Sequence, residues 1–146
     1  MRTAFFICME KKSHSNISEQ RYTFKKEERL RSKKLIERLF VEGDSFLVYP
    51  IKVVALEIEF KEKYPAKAAF AVSKKLFRKA VIRNTLKRRM REAYRLNKHV
   101  LFLDEIPSKK AIMFIYISKE ILPFSIIEKA MIKILRSLSK PAAPNP

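Results

Sequence analysis

The chain has 146 residues and a formal net charge of +18, from 33 lysines and arginines against 15 acidic residues. This length predicts one domain, and 47% hydrophobic residues are enough to bury a core, which excludes a disordered polycation. A single glycine, Gly43, excludes P-loop and GxGxxG nucleotide sites, because both need several glycines. Such an excess of positive charge indicates a polyanionic partner, most often nucleic acid.

The N-terminal part of the chain offers no targeting signal. Cys8 is the only cysteine, which excludes an intrachain disulfide framework and a multi-cysteine zinc site. The apolar run at residues 5–9 is shorter than a signal-peptide core, and no stretch approaches the ~20 apolar residues of a membrane span. We therefore expect a soluble cytoplasmic protein, with residues 1–23 as a flexible leader.

The first half of the domain is predicted to form a helix followed by strands. Ser32 is a suitable N-cap for a helix over residues 33–42, and Gly43 suits the position just past its end. β-branched residues predict a strand over 51–60 and a second over 66–73, antiparallel to the first, with a turn at 62–65 between them. A further short strand is expected near residues 46–49.

The second half is predicted to alternate helix, strand and helix. A basic helix covers residues 80–98, and the continuous apolar run at 111–118 indicates a central strand buried on both faces. Ser125 and Glu128 have capping-box spacing before a last helix that reaches about residue 138. The order predicts an α+β domain over residues 24–140, with one sheet and helices packed on it, and a Pro-rich tail at 141–146.

Half of the net charge lies in residues 74–95, where ten lysines and arginines face one acid, Glu92. At roughly 100° per residue, one side of the basic helix is apolar and the other is cationic. Arg89 falls near the apolar side, from which its long stem can reach outward. The predicted cationic side consists of Arg83, Asn84, Lys87, Arg88, Arg91 and Arg95.

Like charges one turn apart destabilise a helix, so this arrangement makes sense if phosphates supply the missing negative charge. Arginine suits that role because its planar fork engages phosphate oxygens in pairs. The plain alternative is a solvated basic face with no specific partner. The density and one-sidedness of the charge favour RNA or DNA binding over that alternative.

The stretch Ala80-Val81-Ile82-Arg83-Asn84-Thr85-Leu86-Lys87-Arg88-Arg89-Met90-Arg91-Glu92 resembles the "RNR" signature of the bacterial ribonuclease P protein subunit, roughly A-V-x-R-N-x-x-K-R-x-x-R-E. Upstream, Val72-Ser73-Lys74-Lys75 resembles the strand end that precedes it in that family. The segment from Arg29 to Lys34, followed by Ile36, Phe40 and Gly43, resembles the first helix of the family. The resemblance covers about residues 24–138. One departure is Arg78-Lys79, where many members have Gly-Asn.

The resemblance implies an α/β two-layer sandwich of the ribosomal-protein-S5 domain 2-like type, with a left-handed β-α-β crossover through the basic helix. It also implies two partners, the ribonuclease P RNA and precursor tRNA, whose 5′ leader the complex removes. In the family the chemistry belongs to the RNA, which binds most of the Mg²⁺, and no organic cofactor is expected. No membrane contact and no obligate protein partner is expected either.

Two groups of site residues follow from the resemblance. The signature matches assign RNA binding to Lys74, Lys75, Arg83, Asn84, Lys87, Arg88 and Arg91, while Arg78, Lys79 and Arg95 are charges beside them. Ile36 and Phe40 match the helix positions of a cleft for the leader, with Val54 and Phe70 as the strand residues expected there. Ordinary core packing is the alternative for Ile36 and Phe40.

No catalytic group and no metal site of the protein is predicted. His14 and His99 have no second histidine, cysteine or carboxylate at metal-ligand spacing. The pair Asp104-Glu105 is expected to be a solvated loop. Two other functions share the basic helix: a structural RNA-binding protein such as a ribosomal protein, and a DNA-binding regulator. The regulator is disfavoured because a strand, and not the first helix of a helix-turn-helix, precedes the basic helix.

Overall fold

The computed structural model describes residues 23–59, 66–103 and 109–139 of the chain. Several predictions concern residues outside these ranges: the leader up to residue 22, the turn at 62–65, the pair Asp104-Glu105 and the tail at 141–146.

Four strands and four α-helices occur among the described residues, after a 3-10 turn at Lys26–Glu28. In chain order they are α1 (Lys33–Glu42), β1 (Asp44–Val48), β2 (Ile51–Glu57), β3 (Ala66–Val72), α2 (Ala80–Asn97), α3 (Val100–Leu103), β4 (Lys110–Tyr116) and α4 (Phe124–Ser139). The predicted helices and strands are therefore confirmed, including the short strand before β2. The α+β prediction is confirmed with them.

The strands form one mixed sheet in the order β1-β2-β4-β3. β1 pairs antiparallel with β2, and β2 pairs antiparallel with β4, whereas β3 and β4 are parallel. β2 and β3 run antiparallel as predicted, but they are not neighbours, because β4 lies between them. β3 and β4 are joined through the basic helix α2, as the resemblance implies.

β4 is central because both of its faces bury apolar side chains. Ile112, Phe114 and Tyr116 pack into the main core under α2 and α4. Ala111 and Met113 point to the other face, where a second apolar cluster lies under α1. This two-sided burial explains the continuous apolar run of the strand.

Of the two helix starts predicted from capping residues, one is confirmed and one is wrong. The Ser32 hydroxyl accepts a hydrogen bond from the backbone N–H of Leu35 (3.5 Å), so the predicted N-cap of α1 is confirmed. The prediction of a capping box at the start of α4 is wrong, because the helix begins at Phe124 and Ser125 lies inside its first turn. The Glu128 carboxylate instead accepts a hydrogen bond from the Asn97 side-chain amide (3.3 Å).

Gly43 joins α1 to β1, at a position where there is no room for a side chain. Its φ of −73° is one that any residue adopts. A Cβ at this position, however, would clash with the carbonyl oxygen of Leu39 and would lie 3.0 Å from Cγ1 of Val54. The missing side chain therefore lets the end of α1 approach β2 closely.

A buried ion pair fastens the segment before α1 to the end of α2. The Lys98 ammonium lies 2.5 Å from the Glu28 carboxylate, and both side chains are almost completely buried. The ammonium also donates to the backbone carbonyl of Thr23. Phe24 packs edge-on against Phe70 and Tyr94, at 5.9 and 5.6 Å between ring centroids.

This burial changes the acidity of two groups. Removal from water lowers the pKa of the Lys98 ammonium, although the hydrogen bond and the charge of Glu28 act in the opposite direction. Burial also raises the pKa of the Tyr94 phenol, and the nearby Glu28 charge adds to that effect. Glu28 therefore favours the charged form of Lys98 against the effect of burial.

We predict that Glu28→Gln lowers the free energy of unfolding by about 3 kcal/mol, because it leaves a buried ammonium without its counter-charge. The double variant Glu28→Gln/Lys98→Met should recover most of this loss, since neither charge is then buried. Urea unfolding of the three proteins measures both effects. A double variant no more stable than Glu28→Gln alone would contradict this account of the pair.

Candidate nucleic-acid interface

The basic helix α2 has an apolar inner face and a cationic outer one. Leu86, Met90, Ala93 and Tyr94 are buried in the main core, as the sequence predicts. Asn84, Arg88 and Arg91 are exposed on the outer side. The core therefore holds the helix in one orientation, with its cationic side toward solvent.

The loop that precedes α2 extends the cationic surface. Lys74, Lys75, Arg78 and Lys79 are all exposed, and they lead directly into the helix. α2 has no acidic residue in its first turn and no side-chain hydrogen bond at its N-cap, Lys79. Because unpaired N–H groups and the helix dipole make this end electropositive, it favours a phosphate group. We call the loop and the exposed side of α2 together the α2 surface.

Arg83 differs from the other signature residues in its contacts. One guanidinium nitrogen donates to the backbone carbonyls of Phe77 (2.9 Å) and Arg78 (2.7 Å). Arg83 is half-buried, and so is Lys87 one turn later. Arg83 therefore fixes the loop that carries Arg78 and Lys79, a role that the sequence does not predict.

Two further arginines of α2 are held by partners inside the protein. Arg95 forms an ion pair with Glu92, which lowers the pKa of that carboxyl group. Arg89 donates to the backbone carbonyl of Leu122 (2.7 Å), and so connects α2 to the segment just before α4. The prediction that Arg89 lies off the cationic side is confirmed. Arg88 and Arg91 are the arginines of the helix that are exposed.

On the opposite face of the sheet, α1 covers the second apolar cluster. Val54 is only 4% exposed there, and Ile36 packs against the same cluster. Phe40, one turn after Ile36, is 53% exposed. Core packing thus accounts for Val54 and in part for Ile36, whereas Phe40 presents its ring to solvent.

The prediction that Phe70 shares this cleft is wrong. Phe70 pairs with Phe114 of β4, and Phe114 pairs with Val53, so all three point to the α2 side of the sheet. Its ring stacks on Phe114 (5.3 Å between centroids) and lies under the guanidinium of Arg91 (6.0 Å). Phe70 therefore packs on the core side of α2 and supports the α2 surface through its contact with Arg91.

Sequence reasoning misses a groove of about 360 Å³ at the start of α1. Four of its lining residues are basic and one is acidic, and Lys67 comes to it from β3. Arg29 and Arg31 both precede α1 in the sequence, but no local pattern reveals that Lys67 joins them. The lining residues are Lys26, Glu27, Arg29, Leu30, Arg31, Ser32, Leu35 and Lys67.

Neither a metal cluster nor a membrane span is present in the described ranges. Those residues contain no group of three or more histidine, cysteine or acidic side chains that could hold a metal ion. No helix among them is both long and apolar enough to cross a bilayer. His99 is half-buried, and its Nδ1 has no hydrogen-bond partner within the described part of the chain.

Comparison with solved structures places this arrangement in a known fold. The RNase P protein from Thermotoga maritima superimposes with a TM-score of 0.62 and 27% sequence identity, over 75% of this chain and 96% of that protein. The RNase P protein of Staphylococcus aureus has the same fold, with a TM-score of 0.58 at 23% identity, over 76% of this chain and 94% of that protein.

Sequence comparison agrees with the structural one. The family model for Ribonuclease P matches residues 24–139. The ribonuclease P protein component of Porphyromonas gingivalis is 44% identical over 113 residues, which is 75% of this chain and 82% of that protein. The corresponding protein of Chlorobaculum tepidum is 41% identical over 75 residues, about half of each chain. This chain therefore belongs to the ribonuclease P protein family.

Proposed function

We propose that this chain, as the protein subunit of ribonuclease P, uses its two sheet faces for two RNA partners. The α2 surface binds the ribonuclease P RNA. The opposite side of the sheet, with Phe40 of α1 and the groove at the start of α1, is called the α1 side. It binds the 5′ leader of precursor tRNA, so that the complex holds its substrate while the leader is removed. The cationic α2 surface is the observation that carries the proposal.

Charge and burial together support RNA binding by the α2 surface. An exposed cluster of lysines and arginines with one acid among them is unfavourable in the free protein, since like charges repel. RNA phosphates relieve this repulsion, and binding also releases counterions from the RNA. Because Leu86, Met90 and Tyr94 anchor the helix in the core, the cations are presented in a fixed arrangement.

Leader binding is supported by the chemistry of the α1 side. The exposed ring of Phe40 can stack on an unpaired base, which favours single-stranded RNA. The groove at the start of α1 adds Arg29, Arg31 and Lys67, whose charges suit the phosphates between such bases. Val54 on the sheet and Ile36 on α1 pack between the helix and the sheet, and they contact the leader less than Phe40 does.

The RNA subunit carries the chemistry in this proposal and binds most of the Mg²⁺. The protein then contributes position and charge. A cytoplasmic location fits this role, since precursor tRNA is made there.

Reconstitution tests the proposal as a whole. The chain alone should not cleave precursor tRNA, and the RNA subunit alone should cleave it poorly at low Mg²⁺. Together they should release the 5′ leader at the same Mg²⁺ concentration, because the protein supplies the charge that extra Mg²⁺ otherwise provides. Gel analysis of end-labelled precursor measures this. Cleavage by the chain without RNA, or no gain on mixing, would contradict the proposal.

For the α2 surface we predict that Arg88→Ala and Arg91→Ala each lower the salt dependence of binding to the RNA subunit by about one unit in log Kd against log salt. Each variant removes one phosphate contact. Filter binding between 50 and 200 mM salt, the range over which such contacts dominate, measures the slope. The control is Lys34→Ala, an exposed lysine of α1 on the other face of the sheet, which should leave the slope unchanged.

For the α1 side we predict that Phe40→Ala reduces the preference for precursor over mature tRNA by about tenfold, the value of one lost base-stacking contact. Val41→Ala is the matched control, because Val41 is the next residue and is 84% exposed. Binding of the reconstituted complex to both tRNAs measures the preference. An equal loss of affinity for the two tRNAs would instead indicate a structural role for Phe40.

A further inference from the structure

We propose that the outer face of α4 is a second contact surface for the phosphate backbone of the ribonuclease P RNA, separate from the α2 surface. Lys129, Lys133 and Arg136 carry it. They follow one another at intervals of four and three residues, so they form a single row along the helix. This inference rests on the proposed function, in that it takes the RNA subunit as the partner.

Burial fixes which side of α4 faces solvent. Ile127, Met131, Ile134 and Leu138 on its inner side are buried in the main core. Lys129, Lys133 and Arg136 are all exposed on the side away from that core. Their orientation is therefore set by the packing of the helix.

In the described part of the chain, no carboxylate is paired with this row of charge. Glu128 is the only acid of α4, and it is turned toward α2, where it accepts a hydrogen bond from Asn97 (3.3 Å). None of the three cations forms an ion pair with another residue of the described ranges. As on the cationic side of α2, where Glu92 is the one acid, like charges stand one turn apart.

The position of α4 decides between the two RNA partners. α4 and α2 pack side by side on one face of the sheet, linked by Arg89 to Leu122 and by Asn97 to Glu128. The α1 side, which we assign to the leader, lies on the other face. A partner large enough to contact α2 can therefore reach α4 as well, whereas the leader is separated from α4 by the sheet.

The exposed residues that flank the cations indicate how the RNA is held. The other exposed residues of α4 are Ser125, Ile126 and Ser137, and none of them is aromatic. The surface thus offers charge without a ring for base stacking. Such a surface binds phosphates irrespective of sequence, as in the backbone of an RNA helix.

The test compares the wild-type chain with the triple variant Lys129→Ala/Lys133→Ala/Arg136→Ala for binding to the isolated RNA subunit. We expect the salt slope to fall by about two to three units and Kd to rise by about tenfold or more near 0.1 M salt, for three lost phosphate contacts. The midpoint of thermal unfolding should not fall, since alanine is the best helix former and the three residues are exposed. The charge-preserving variant Lys129→Arg/Lys133→Arg/Arg136→Lys should bind as the wild type does.

Backbone footprinting of the RNA completes the test. The triple variant should lose protection of one stretch of RNA, and Arg88→Ala/Arg91→Ala should lose protection of a different stretch. An unchanged salt slope and footprint for the triple variant would overturn the inference. If the Arg88/Arg91 variant still binds weakly in that case, the proposed function stands. A triple variant that binds the RNA subunit normally but loses affinity for precursor tRNA would also overturn it.

Discussion

The two-sided burial of β4 is the constraint on which the rest of the structure depends. Its side chains alternate between the main core and the smaller cluster under α1, so neither face of the sheet is left to water. Because β4 lies between β2 and β3, it also sets which residues of those strands share a face. The separation of the α2 surface from the α1 side is a direct result.

The apolar core is also what makes the charge distribution tolerable. A row of cations on an isolated helix would favour unfolding, since repulsion acts along its whole length. In α2 the burial of Leu86, Met90, Ala93 and Tyr94 outweighs that repulsion, at roughly 1 to 3 kcal/mol for each large apolar side chain. The protein can therefore keep an unbalanced surface, which a nucleic acid then neutralises.

The sequence predicts the elements and the basic surface well because these depend on local patterns. The bounds of α1 and the start of α2 agree with helical periodicity and with the N-cap at Ser32. The strand order could not be predicted. The alternation of side chains along a strand shows which of its residues share a face, but it does not show which strands lie next to each other. Phe70 shows the consequence: it shares a face with Val53 and not with Val54, a difference of one residue in register. The pairing of Lys98 with Glu28 joins residues 70 apart, beyond any local pattern.

The segment from Thr23 to Leu30 protects an edge of the sheet. β3 is an edge strand, and Arg29 pairs with Ala68 of β3 while the Leu30 N–H donates to the Ala68 carbonyl (3.0 Å). The buried salt link between Glu28 and Lys98 holds the segment in that place. Exposed strand edges are templates for pairing with other chains and so promote aggregation. The segment from Thr23 to Leu30 therefore limits pairing of β3 with another chain. It does so without covering the α2 surface, which must stay open for RNA.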